Sequence, residues 1–161
     1  MDASAWIDAL LETNLDNRRE AAQALAQHRE AAQAAVIPLC RAASDEDEQV
    51  REWCHAALEE LGPPSEEERD ALLDLITAKE PTAYWAVTLL GRLEQAAQPA
   101  ALPLAALVER PETPDEVRNR ALWALGKIGA QAPEIRAALE TAAQSSNPRT
   151  ARLAAKALAN H

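Results

Sequence analysis

A chain of 161 residues that repeats itself about every thirty-three positions has few folds open to it. Sliding VREWCHAALEELG, residues 50–62, by 67 positions lays it on VRNRALWALGKIG, residues 117–129, and Val, Arg, Ala, Leu and Gly fall on themselves. Looser copies of the same template cover 17–28, 82–93 and 150–161, so successive copies begin 33, 32, 35 and 33 residues apart. A unit of this length cannot bury its apolar face by itself. It is stable only when neighbours stack on it, which points to a linear array rather than a closed globule.

Within each copy the apolar period is that of a helix. At about 100° per residue, the equivalent small positions Ala21, Cys54, Ala86, Ala121 and Ala154 share a face with Ala24, Ala57, Leu89, Ala124 and Ala157 and with Leu25, Leu58, Leu90, Leu125 and Leu158. A second apolar segment precedes each template, at 6–11, 36–40, 72–76, 102–108 and 135–142, so every repeat reads as a helix pair. Phe is absent, aromatics make up 3%, and Ala supplies nearly half of the 48% hydrophobic set; this favours closely packed helices and disfavours sheets. Helix starts are marked by Ser65 with Glu68, Thr113 with Glu116 and Pro114, Asn147 with Pro148, and Ser44 with Asp47. About ten helices fit. Pro38 and Pro103 fall inside two of the first helices, where bends are expected.

The net charge of −10 is unevenly spread. Residues 111–161 hold seven basic and five acidic side chains, a net +2, leaving −12 on the first 110. The acidic runs Asp45 to Glu48 and Glu66 to Asp70 suit helix starts, where the dipole favours negative charge. Overall acidity repels nucleic acid and anionic membranes. No apolar stretch reaches membrane-spanning length, and the opening MDASAWIDAL carries two Asp where a secretion signal needs positive charge, so a cytoplasmic protein is expected. Two cysteines are too few for a disulfide framework.

An acidic residue, then Val-Arg, then Ala-x-x-Ala-Leu and Gly resembles the HEAT repeat of the short bacterial type, over the whole chain. The resemblance implies an all-α fold: a right-handed α-solenoid of five helix-pair repeats, at about 1–28, 29–62, 63–94, 95–129 and 130–161, forming one domain over 1–161. It also implies a ladder of acid and arginine, here Glu12 with Arg18, Asp45 with Arg51 and Glu112 with Arg118, broken at Thr77/Ala83 and Ser145/Ala151. Enzymes that resemble this family need residues the chain lacks. Di-iron hydroxylases carry His-Glu pairs and none occurs; DNA glycosylases need a basic groove, which net acidity opposes. His28, His55 and His161 are scattered, and Cys40, Cys54 and His55 lack metal-ligand spacing. There is no phosphate loop and no nucleophile elbow. Catalytic residues, cofactors and metals are therefore not expected.

Surface recognition remains. Template positions three and seven should point away from the core: Arg19, Glu52, Tyr84, Asn119 and Arg152, then Gln23, Ala56, Thr88, Trp123 and Lys156. Tyr84 and Trp123 are out of place on such a face, and the resemblance would put them on the concave side beside Gly91 and Gly126, with space for an incoming side chain. Trp53 and Trp85 read as edges of the core, and Trp6 as a cover over the end of the stack. The expected function is a non-enzymatic scaffold or adaptor that binds a protein partner through Tyr84 and Trp123, rimmed by Arg152 and Lys156 at one end and Glu52 at the other. The chain itself is expected to be monomeric. The alternative, implied by resemblance to phycobilin lyases, is an accessory subunit in cofactor attachment.

Overall fold

The computed structural model describes residues 2–161, and they divide into two compact units, 2–64 and 65–161, near the junction between the second and third repeats. Eleven α-helices and two 3-10 segments account for the secondary structure of the described residues, and no strand occurs among them. None of these helices is long and apolar enough to cross a membrane.

The first unit contains α1 (Ala3–Leu10), α2 (Leu15–Gln27), α3 (Arg29–Ala34), α4 (Val36–Ala42) and α5 (Glu48–Glu60). Side-chain oxygens satisfy the free N–H groups where three of them begin: Asp2 accepts from Ala5, Asn14 from Asp16 and Asn17, and Asp47 from Val50. Asp47, not Ser44, is thus the cap of α5. α2 and α5 pack on each other, and Ala21, Ala22 and Leu25 of the one and Val50, Cys54 and Leu58 of the other are all buried. Burial pushes the Cys54 thiol up to about 12, with Asp45 and Cys40 adding to the effect, so it stays a neutral core group.

The arginine ladder is shorter than expected. A rung joins the arginine of one repeat to the acid of the next, and in this unit Arg18 grips Asp45 through Nε and Nη2, at 3.0 and 3.3 Å. Arg51 instead donates to the carbonyls of Asp45 and Glu46, both at 2.8 Å. Arg19 adds a second cross-repeat pair, reaching Asp47 at 2.6 and 3.0 Å. That bond, reinforced by the Val50 N–H and the guanidinium charge, holds the Asp47 carboxyl down at about 2. At the first end of the unit, Trp6 stacks on His28 with ring centroids 4.9 Å apart.

The second unit opens with a capping box, in which the Ser65 N–H donates to the Glu68 carboxylate at 2.9 Å and the Glu67 N–H to the Ser65 hydroxyl. A 3-10 turn (Glu66–Glu68) leads into α6 (Arg69–Leu73), α7 (Glu80–Arg92), a 3-10 segment (Glu94–Ala100), α8 (Ala101–Glu109), α9 (Asp115–Ile128), α10 (Pro133–Ala143) and α11 (Pro148–Leu158). α7, α9 and α11, the second helices of three repeats, lie side by side, while α8 and α10 pack behind them. Leu89, Leu90, Leu104, Leu122, Leu125, Ile128, Ile135 and Leu139 fill the space between. Gly129 closes α9 in the left-handed conformation, φ 67°, a geometry that favours glycine.

Several sequence expectations need correction here. Thr113 does not cap α9; its buried hydroxyl donates to the Leu107 carbonyl at 2.7 Å, and Pro114 occupies the cap position. Arg118 donates to the carbonyls of Val108 and Arg110 and to Asp115 rather than to Glu112, and the preceding repeat has Ala83 where a rung to Glu112 needs an arginine. The prolines do not bend helix interiors. Pro38 and Pro103 both sit at the third residue of a helix, α4 and α8, where the backbone N–H has no partner to lose. The chain breaks just upstream instead, at Ala35 and in the 3-10 segment ending at Ala100.

Candidate functional site

Two positions expected to face outward on the second helices are in fact buried. Asn119 is covered because its side-chain oxygen accepts the Thr150 hydroxyl at 2.8 Å, tying α9 to α11. Thr88 turns its hydroxyl back to the Tyr84 carbonyl at 2.7 Å. A second helix in such a stack has a neighbour on each side, so its buried arc is wider than that of a surface helix.

Tyr84 and Trp123 remain half-buried, and the residue that organises them is one that sequence reasoning passed over. Arg120 lies on α9 one turn before Trp123, a spacing that puts both on one face. Its guanidinium carbon sits 4.6 Å from the centre of the Tyr84 ring and 5.1 Å from that of Trp123. It also donates to the Tyr84 hydroxyl. Cation–π attraction to both rings and this bond fix a charge that would otherwise move freely. Trp85, buried in the core, meets Tyr84 edge-on at 5.5 Å. The signal available in the sequence was an arginine at the template position filled by Trp53 and Trp85 in other repeats.

Next to this cluster is a cleft of about 310 Å³ between the faces of α9 and α11. Tyr84, Arg120 and Trp123 line one side, and Arg149, Arg152 and Lys156 the other. Leu153 adds an apolar surface, and Glu116 is the one carboxylate present. Glu116 accepts from Arg149 at 2.8 Å, with both side chains more than half exposed. Arg152 and Lys156 are exposed and form no ion pair among the described residues.

The structure thus gathers Tyr84, Trp123, Arg152 and Lys156 around one cleft and adds Arg120 and Arg149 to them. Glu52 is not among the residues that line the cleft; it is exposed on α5 in the first unit. The glycines do not leave space for an incoming side chain. A Cβ on Gly91 would fall 3.0 Å from both Ala124 Cβ and Trp123 Cε3, and closer still to Trp123 Cζ3, so the indole of this same chain already occupies that space. Gly126 lets α11 approach, with Ala157 Cα 3.3 Å from where its Cβ would be.

His55 and His161 lie 3.2 and 3.1 Å from the carbonyls of Ala43 and Leu125, and His28 stands between α2 and α3. No group of three or more metal-ligating side chains comes together among the described residues.

Paired helices stacked in sequence order define a helical repeat protein. The profile for HEAT repeats matches residues 3–91, more than half of the sequence, and the chain belongs to that family. α9 and α11, which carry most of the cleft, lie beyond the matched span. No curated protein sequence matches the chain. Among solved structures it is similar to a designed armadillo repeat protein in complex with the peptide (KR)4, at 21% identity and a TM-score of 0.63, covering 98% of this chain and 81% of that one. It is also similar to a computationally designed armadillo repeat protein for modular peptide recognition, at 19% identity and a TM-score of 0.63, covering 99% and 82%. A third likeness is to the CpcE and CpcF complex of phycocyanin lyase from Nostoc sp. PCC7120, at 24% identity and a TM-score of 0.64, covering 99% of this chain and 65% of that one. At these identities the likeness establishes the α-solenoid fold.

Proposed function

We propose that the chain is a non-enzymatic scaffold or adaptor that holds a protein partner, with Tyr84, Trp123, Arg152 and Lys156 as contacts and Arg120 fixed between the rings. Glu52, exposed on α5, serves as the contact at the other end of that surface, as its template position suggests. The observation that carries this reading is the aromatic–guanidinium cluster itself. Half-exposed Tyr, Trp and Arg beside a cleft are the residue types that dominate binding energy at protein interfaces, where truncating one commonly costs about 2 kcal/mol or more. Peptide recognition by structurally similar armadillo designs supports the choice of a protein or peptide as the ligand. The test uses the chain as bait in native lysate, comparing wild type with Tyr84→Ala/Trp123→Ala and with Arg152→Ala/Lys156→Ala. A genuine partner is lost by at least about tenfold in both, while helical content is retained. Retention of the same partner by both folded variants refutes the reading.

A second reading, accessory service in attaching a bilin-type cofactor, draws on the likeness to the CpcE and CpcF complex. It requires that co-expression with a bilin and an acceptor protein raise covalent pigment on the acceptor. Scaffold binding alone does not produce that result.

A further inference from the structure

The cleft has a strong charge preference although the whole chain is acidic. Four cations line it, Arg120, Arg149, Arg152 and Lys156, against the single carboxylate of Glu116. Each is held differently. Arg120 is immobilised between the rings of Tyr84 and Trp123, and Arg149 is occupied by Glu116, whereas Arg152 and Lys156 extend into solvent. The Glu116–Arg149 bond therefore places one carboxylate of this chain on the cleft's own cation at 2.8 Å.

Resting on the protein-binding reading above, we infer that the cleft receives the carboxylate side chains of an acidic segment of a partner protein, one of which displaces Glu116 from Arg149. Charge complementarity chooses this ligand. Three further cations line the cleft besides Arg149, and an arginine fork donates two parallel hydrogen bonds to a carboxylate. The size of the cleft, about 310 Å³, fits a few side chains of an extended segment rather than a folded domain. Leu153 and the Trp123 edge give apolar surface for a residue between the acids. The net charge of −10 opposes any long polyanion at a distance, nucleic acid included, so the local cations favour a short acidic segment whose few carboxylates fit the cleft. Glu116 gives the free cleft an internal competitor. Its bond to Arg149 must open before the displacing carboxylate can seat, which lowers apparent affinity by the strength of one exposed ion pair.

The experiment measures fluorescence anisotropy of a labelled peptide of alternating Asp and Glu. A peptide of alternating Lys and Arg and a short oligothymidine serve as competing probes. The acidic peptide is expected to bind, to weaken as salt is raised, and to lose at least about tenfold in affinity with Arg152→Glu/Lys156→Glu, both at exposed positions, with helical content checked by circular dichroism. Glu116→Gln is expected to tighten binding by about two- to fivefold, because it frees Arg149. Equal or tighter binding of the basic peptide or the oligothymidine overturns the inference, as does acidic-peptide binding indifferent to charge reversal. No gain from Glu116→Gln overturns the displacement step. If acidic peptide fails while lysate capture still depends on Tyr84 and Trp123, the charge assignment falls and the scaffold reading stands.

Discussion

Gly91→Ala sets two opposed effects against each other at the back of the cleft. Gly91 lies within α7, where alanine is a better helix former by about 1 kcal/mol, so propensity alone makes the substitution stabilising. The new Cβ, however, would stand 3.0 Å from Ala124 Cβ and from Trp123 Cε3, several tenths of an ångström inside ordinary contact, and closer still to Trp123 Cζ3. Ala124 cannot swing away because its Cβ is fixed to the backbone of α9. The indole must therefore rotate off Arg120, or α7 and α9 must separate. Overpacking of this kind costs about 1–3 kcal/mol, so the net change runs from near zero to a loss of about 2 kcal/mol. Urea unfolding measures it, repeated in a Trp123→Leu background where the larger obstacle is gone and the penalty should shrink. The double-mutant cycle isolates the Gly91–Trp123 term. Anisotropy with the acidic peptide should show weaker binding in the single variant, since the ring that holds Arg120 has moved. A gain of about 1 kcal/mol in the wild-type background, or the same effect in both backgrounds, refutes the packing account.

Two other outcomes follow from the core and from the cross-repeat charges. Leu125→Ala, fully buried in α9, should cost about 2–5 kcal/mol by denaturant unfolding, whereas half-buried Leu158 at the end of α11 should cost clearly less; equal losses contradict nearest-neighbour stacking. Asp47, held at about 2 by Arg19, binds its proton later in the folded state than in the unfolded one. Its contribution is therefore complete above about pH 4 and disappears as pH falls through about 2. The stability gap between wild type and Asp47→Asn, measured by melting across this range, should close on acidification; a constant gap contradicts the ion-pair assignment.

Much of the array is legible in the sequence because each repeat states its core again. Of the fifteen equivalent core positions, only Ala24 and Leu158 are less than buried, and both belong to repeats at the ends of the chain. What the sequence hides are relations between repeats. A periodicity reading assigns each residue to an inner or outer face of one helix, but Asn119 is buried by Thr150 in the following repeat, thirty-one residues away. The ladder is a relation of the same kind. Pairing acid and arginine within a repeat gives three matches, yet a rung needs the arginine of one repeat and the acid of the next, and Arg18 with Asp45 meets that condition.

The candidate site follows this logic more closely still. Tyr84 and Trp123 were visible as aromatics at outward positions, but their meaning depends on Arg120, whose hydroxyl partner is thirty-six residues distant. Gly91 looked like vacant space when read alone. Set beside the next repeat, it is the complement of Trp123: the small residue on α7 and the large one on α9 fit each other. That fit holds the indole half-buried at the cleft rather than free in solvent, and through it the guanidinium of Arg120 is fixed. The cation of the cleft is thus positioned by core packing, and a change at buried Gly91 should reach a ligand that never touches it.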